Sequence, residues 1–121
     1  MITLVLPLPP SVNAAYRNTR RGRAKTAAYI EWLGNAGCYL IQQKEWKKHK
    51  IVGAYALDIQ VHPDIQGDID NRIKLISDLL VSIEVVNDDR HAWRVSVERS
   101  YAVENKDECL VKVNSIKTNR A

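Results

Sequence analysis

Two aspartates stand two positions apart in the stretch GDIDNRIKLISDLL, residues 67–80, directly before a run with helical spacing. In a helix, residues i and i+2 face nearly opposite sides, whereas in an extended segment they share a face. Asp68 and Asp70 can therefore share one side if the chain is still extended there and a helix begins near Asp70 or Asn71. Lys74 would then lie one turn up the same face as Asp70.

Converging carboxylates repel one another unless a positive charge lies between them. Mg²⁺ supplies that charge, prefers oxygen ligands and keeps positions open for water and phosphate oxygens. Such a site can activate water against a phosphodiester, and a nearby lysine can stabilise the charge that grows on the phosphate. Asp88 or Asp89, in a loop after the helix, can supply a third carboxylate.

The same residues also fit a purely structural role. An Asp-x-Asp pair at a helix start often caps the helix and interacts favourably with its dipole. Lys74 is spaced for pairs with Asp70 and Asp78, four residues away on either side. The residues alone leave both the metal site and the capped helix open.

Hydrophobic periodicity predicts four strands and two helices in the order β-α-β-α-β-β. The strands are predicted at 2–6, 55–62, 93–98 and 109–114, and the helices at about 26–48 and 70–83. This order indicates one α/β (α+β) domain over residues 1–121, with a mixed sheet packed by two helices. Residues 7–25 show no periodicity and are predicted to form an extended, mobile basic loop.

The composition of the 121-residue chain is that of a folded protein with one core: 26% of its residues are charged and 45% are hydrophobic. The net charge of +4 permits an anionic partner. Five cations crowd the predicted loop, namely Arg17, Arg20, Arg21, Arg23 and Lys25. They would contact phosphates without reading bases, or form a solvated loop. The lysines at 44–50 fit a solvated helix end.

The apolar run at the start of the sequence is too short for a membrane span and lacks a basic leader. Cys38 and Cys109 are expected to be buried thiols, because no spacing typical of a metal site or disulfide framework is present. We therefore expect a soluble, cytoplasmic protein without a membrane partner.

Three blocks of sequence together resemble the RusA family of Holliday junction resolvases. They are LPLPPSVNAAYR (6–17), GDIDNRIKLISDLL (67–80) and VVNDDRHAWRVSVER (85–99), and they span most of the chain. The second block looks like that family's catalytic Asp-x-Asp-Asn-x-x-Lys helix. The third is similar to its Asp-Asp turn that leads into a strand.

The resemblance implies a bacterial or phage homodimer that resolves four-way DNA junctions by paired nicks, in DNA recombination and repair. Its activity would depend on Mg²⁺, with Mn²⁺ as a substitute. By position, Asp68, Asp70 and Asp89 would bind the metal and Lys74 would be the catalytic lysine. For a nuclease, the cations Arg17, Arg20, Arg21, Arg23 and Lys25 would contact DNA phosphates, and Asn13 and Tyr16 would either orient this loop or touch the DNA.

The chain departs from the family pattern in three places. It contains no phenylalanine, Gly67 stands where a basic or polar residue is common, and Trp93 stands where an aliphatic residue is usual. The geometry of the bound junction and the preferred cleavage site therefore stay open. So do three other classes: a non-catalytic protein of this fold that binds branched DNA, a nuclease for flaps, and a small α/β interaction module without a metal.

Overall fold

The computed structural model describes residues 1–118 and shows an α+β fold in which helices cover one face of a mixed sheet. The strands are β1 (Ile2–Pro7), β2 (Tyr16–Thr19), β3 (Gly22–Lys25), β4 (Tyr55–Val61), β5 (Ala92–Arg99) and β6 (Glu108–Ser115). The helices are α1 (Val12–Ala15), α2 (Ala27–Gln42) and α3 (Ile73–Ser82). Short 3₁₀ turns occur at Lys44–Lys48, Ile69–Arg72 and Asp89–His91.

The four-stranded sheet has the order β1-β6-β4-β5. β6 is antiparallel to both β1 and β4, whereas β4 and β5 are parallel. Cys109 of β6 pairs with Leu6 near the end of β1 and with Val61 at the end of β4. The carboxyl ends of β1 and β4 therefore lie at the same end of the sheet. We call this the Val61 end and the opposite one the Tyr55 end.

The core lies between the sheet and two amphipathic helices. β4 shows the alternation that builds it, because Leu57 and Ile59 are buried while Asp58 and Gln60 face the open side of the sheet. On the helices the buried residues recur at three- and four-residue steps. They are Tyr29, Trp32, Ala36 and Leu40 on α2 and Leu75, Ile76, Leu79 and Leu80 on α3.

The predicted order of the main elements is confirmed, but the predictions for three segments are wrong. Residues 7–25 form α1 and a β2–β3 hairpin instead of an extended loop, with Gly22 at φ +108° after the turn. The helix predicted over 26–48 ends at Gln42, because Gln43 takes an extended conformation. The helix predicted from residue 70 begins at Ile73, after a 3₁₀ turn.

The two cysteines differ in exposure. Cys109 is buried as predicted, and burial raises the pKa of its thiol to about 12. Cys38 is exposed, which contradicts the prediction of a buried thiol, because it lies on the solvent side of α2. In residues 1–118 we find no helix with the length and apolar character that crossing a bilayer requires.

A side chain covers the β1 edge of the sheet. The amide of Gln43 accepts a hydrogen bond from the Val5 N–H at 2.7 Å and donates one to the Val5 carbonyl at 2.7 Å. It also donates to the Tyr39 carbonyl at the end of α2. One glutamine thus replaces a missing neighbouring strand at Val5 and joins α2 to the sheet.

We expect Gln43→Ala to lower the free energy of unfolding by about 1–3 kcal/mol, because it leaves part-buried backbone groups of Val5 without partners. Urea denaturation followed by circular dichroism measures this change. Gln42→Ala is the matched control, since Gln42 is exposed and precedes it directly. Equal stability of the two variants would contradict the role of Gln43 as an edge cover.

Candidate active site and nucleic-acid interface

The segment that carries Asp68 and Asp70 leaves the sheet at the Val61 end. Asp68 has extended backbone angles, φ −75° and ψ 129°, and the 3₁₀ turn begins at the next residue. Ile69 is partly buried and packs against the core, whereas both aspartates are exposed. The two carboxylates therefore lie at the solvent side of a segment whose apolar residue faces inward.

These aspartates do not serve as helix caps. Asp68 stands at the N-cap position of the 3₁₀ turn but makes no side-chain capping hydrogen bond, and the N-cap position of α3 is Arg72. The alternative in which the Asp-x-Asp pair caps the helix is therefore wrong. Neither aspartate takes part in the ion pairs found within residues 1–118. Their carboxylates are thus free for a ligand.

Arg72 fixes the 3₁₀ turn to the proline-rich segment after β1. Its Nη1 donates a hydrogen bond to the Pro9 carbonyl. The side chain is partly buried, and burial lowers the pKa of the guanidinium from its ordinary value. Arg72 therefore holds the turn in place and does not face the solvent beside Asp70.

Lys74 lies in the first turn of α3 with 54% of its side chain exposed. Its Nζ is 3.4 Å from Asp78 Oδ1, which is one of the two partners that the spacing predicts. An exposed pair of this kind contributes little stability. The ammonium group can therefore leave Asp78 for another anion at small cost.

Asp88 and Asp89 lie at the opposite end of the sheet. The 3₁₀ turn Asp89–His91 leads directly into β5. The Arg90 backbone N–H, 3.0 Å from Asp88 Oδ1, lowers the pKa of the Asp88 carboxyl. Burial, with the nearby charges of Asp89 and Asp88, raises the pKa of Tyr55. Both carboxylates thus lie near the residue that begins β4.

One chain does not bring Asp89 together with Asp68 and Asp70. Asp68 follows β4 and Asp89 precedes β5, and because these strands are parallel the two residues lie at opposite ends of the pair. At about 3.3 Å per residue, the eight residues of β5 span about 26 Å. Within residues 1–118, no group of three or more His, Cys, Asp or Glu side chains is placed to hold a metal ion.

The basic stretch forms the β2–β3 hairpin, which aromatic side chains anchor to α2. The Tyr16 and Tyr29 rings meet edge-on with centroids 5.4 Å apart. The Arg23 guanidinium lies 4.3 Å from the Tyr16 ring centroid, and the Lys25 ammonium lies 5.4 Å from that of Tyr29. These cation–π contacts hold two of the predicted DNA-binding cations at the root of the hairpin.

The remaining predicted DNA-binding residues are exposed. Arg20 and Arg21 form the turn of the hairpin, which a hydrogen bond from the Thr19 hydroxyl to the Gly22 carbonyl closes at 2.7 Å. Arg17, on β2, and Asn13, on α1, are also open to solvent. The hairpin therefore presents its positive charge to solvent.

The hairpin lies beside α3. Tyr16 and Lys25 line a shallow cavity of about 260 Å³ together with Asp78 of α3. Lys74, one turn before Asp78, is thus close to the root of the hairpin. The exposed carboxylates at the Val61 end are accordingly followed by a helix that carries Lys74 and lies beside the basic hairpin.

Sequence reasoning missed Arg99, whose guanidinium contacts the loop before Asp68. It also missed Tyr29 as the anchor of the hairpin. Tyr29 lies in the helix predicted over 26–48, and helical spacing gives no sign of a contact with residue 16. Arg99 is the last residue of β5, a strand with ordinary alternation, so no local sequence pattern marks it as a functional residue.

A family model described as endodeoxyribonuclease RusA matches residues 7–114 of the 121-residue chain. The match includes the hairpin, Asp68, Asp70 and Lys74, and Asp89 with β5. Curated proteins provide no match to the chain.

Proposed function

The chain belongs to the endodeoxyribonuclease RusA family, and we propose that it resolves four-way DNA junctions as a metal-dependent homodimer. Family membership implies an endonuclease that acts on branched DNA. The observation that carries the proposal is a combination: Asp68 and Asp70 at the Val61 end are exposed and uncapped, and the basic hairpin lies beside α3, the helix that follows them.

A second copy of the chain completes the carboxylate set. In one chain, Asp89 and Asp68 lie at opposite ends of the parallel pair β4–β5. A metal site that contains both would therefore take Asp89 from a second molecule. Within residues 1–118, β5 is bonded only to β4, which leaves its outer edge open. Antiparallel pairing of two β5 edges would place Asp89 of the partner subunit next to the Val61 end.

The side chains of β5 fit such self-pairing. About a two-fold axis at Ser96, Arg94 of one strand lies opposite Glu98 of the partner subunit, and Val95 lies opposite Val97 of the partner subunit. Opposite charges and apolar residues in these positions stabilise antiparallel pairs. Val95 is 43% exposed in the single chain, which leaves apolar surface for the partner to cover.

The donor set fits a hard divalent cation, because all three predicted ligands are carboxylates. Asp68 and Asp70, with Asp89 of the partner subunit, would hold Mg²⁺ or Mn²⁺. Such an ion polarises the scissile phosphate and activates a bound water. A two-fold dimer would have two such sites, which suits a junction that is cut on two opposed strands.

The other residues would bind and orient the DNA. Lys74 can exchange its weak pair with Asp78 for a phosphate oxygen and stabilise the negative charge that grows there. The hairpin cations would contact the backbone of the DNA arms without reading their bases. Arg23 and Lys25 are held on aromatic rings, so their side chains give up less freedom on binding.

We expect Asp70→Asn and Asp89→Asn each to slow cutting of a labelled four-way junction by more than about 100-fold, because each removes a ligand of the metal, whose contribution to the transition state is several kcal/mol. Binding in a chelator should be unchanged, since the hairpin is intact. If the two variants are mixed, each mixed dimer has one site with both native carboxylates. Cutting of one strand should therefore reappear.

The mixed sample separates the rival explanations. No recovery in mixed dimers would contradict a site shared between subunits, and an Asp70→Asn variant that cuts at the wild-type rate would contradict the metal site. If the wild-type protein binds the junction but never nicks it with Mg²⁺, a non-catalytic binding role replaces the nuclease. Flap and junction substrates, compared side by side, distinguish the two nuclease classes.

We expect Arg20→Ala with Arg21→Ala to weaken junction binding, because both cations are exposed at the turn of the hairpin. The slope of log affinity against log salt should fall in magnitude by about 2, because each cation that neutralises a phosphate contributes about 1 to that slope. Lys47→Ala with Lys50→Ala is the control, since these lysines line a different cavity, together with Ile83 and Glu84 after the end of α3. Equal slopes for both double variants would contradict a DNA-binding hairpin.

A further inference from the structure

We propose that Arg99 is a positioning residue that orders the loop before Asp68 and so presets the metal site; this inference rests on the proposed function. Three backbone carbonyls of the loop over residues 62–67 meet its guanidinium. Nη1 donates to the Pro63 carbonyl at 2.9 Å and to the Ile65 carbonyl at 2.7 Å. Nη2 donates to the Gly67 carbonyl at 3.3 Å.

Arg99 is aimed at this loop by the sheet. It is the last residue of β5 and pairs with Val61, the last residue of β4. The Ser100 N–H donates to the Val61 carbonyl at 2.9 Å, which fixes the strand end where the side chain departs. The backbone of Arg99 is thus fixed by the sheet, and its guanidinium contacts the loop that follows Val61.

The loop has few other constraints near Asp68. Ile65 is buried, and the Asp64 N–H bonds to His62 Nδ1 at 3.0 Å, so the first half of the loop is held locally. Gly67 has φ +82°, a left-handed conformation that glycine adopts at little cost. The hydrogen bond from Arg99 holds the carbonyl of this glycine, directly before Asp68.

Only arginine suits this position. Its planar fork can bind several carbonyl oxygens at once, whereas lysine offers a compact charge on a flexible stem. Hydrogen bonds from a charged donor are also stronger than neutral ones. Arg99 takes part in none of the ion pairs found within residues 1–118, so its charge is used on backbone oxygens.

The consequence is that Asp68 is held in one place before any ligand binds. A metal site loses affinity when the groups that orient its ligands are removed, typically by about 10–100-fold. Arg99 acts through the backbone of residues 63–67, and its removal should therefore loosen the loop even in the metal-free protein.

The experiment compares Arg99→Ala and Arg99→Lys with the wild-type protein and with Lys106→Ala. Lys106 is an exposed cation in the turn before β6, at the same end of the sheet, so its removal controls for loss of charge. Amide hydrogen exchange over residues 63–68 is measured first, without metal or DNA. Mn²⁺ binding to the DNA-free protein is then measured by the loss of the free-ion EPR signal.

In Arg99→Ala we expect exchange over residues 63–68 to be about 10-fold faster and Mn²⁺ affinity to fall about 10–100-fold. Arg99→Lys should lie between the alanine variant and the wild type, and Lys106→Ala should match the wild type. The Mg²⁺ concentration for half-maximal cutting should rise in the same order.

Unchanged exchange in Arg99→Ala would overturn the proposal, and so would faster exchange with unchanged Mn²⁺ affinity. Arg99 could instead act at the interface between subunits, and sedimentation of each variant tests this explanation. A monomeric Arg99→Ala variant beside a dimeric wild type would overturn the positioning role. Failure of the proposed function has a different signature, namely a wild-type protein that binds Mn²⁺ but leaves junctions uncut.

Discussion

Parallel strands cannot be joined by a tight turn, so the chain between β4 and β5 has to cross the sheet, and here it does so as α3. This constraint separates the three aspartates that are predicted to bind the metal. Asp68 and Asp70 lie where the crossover begins, and Asp89 lies where it ends. The predicted metal ligands thus lie at opposite ends of one chain, which is why the proposed site takes Asp89 from a second chain.

The two edges of the sheet support that arrangement because they differ. At β1, the side-chain amide of Gln43 bonds the backbone of Val5, which closes that edge to another strand. At β5, the outer backbone carries no neighbour within residues 1–118, and Trp93 is 65% exposed. The edge left open for the proposed self-association is therefore the one that follows Asp89.

At the Val61 end, rigid and movable groups have separate tasks. Arg72 and Arg99 bind backbone carbonyls and hold the chain on both sides of Asp68 and Asp70. The carboxylates themselves, Lys74 and the cations at the hairpin turn remain exposed. A fixed backbone with free charged side chains suits the proposed site, which would accept a metal ion and DNA.

The amino-acid sequence by itself determined the order of the main strands and helices, because alternation and helical spacing record which residues face the core. It also determined the exposed aspartates, the lysine and the cluster of cations. Only the tertiary structure decided that the cations form a hairpin anchored on Tyr29, that the helix after Asp68 begins at Ile73, and that Arg99 bonds to the loop before Asp68. These depend on contacts between distant residues, which no local pattern encodes. The separation of Asp89 from Asp68 has the same cause, since the parallel direction of β5 is set by pairing with β4 and not by the residues of either strand.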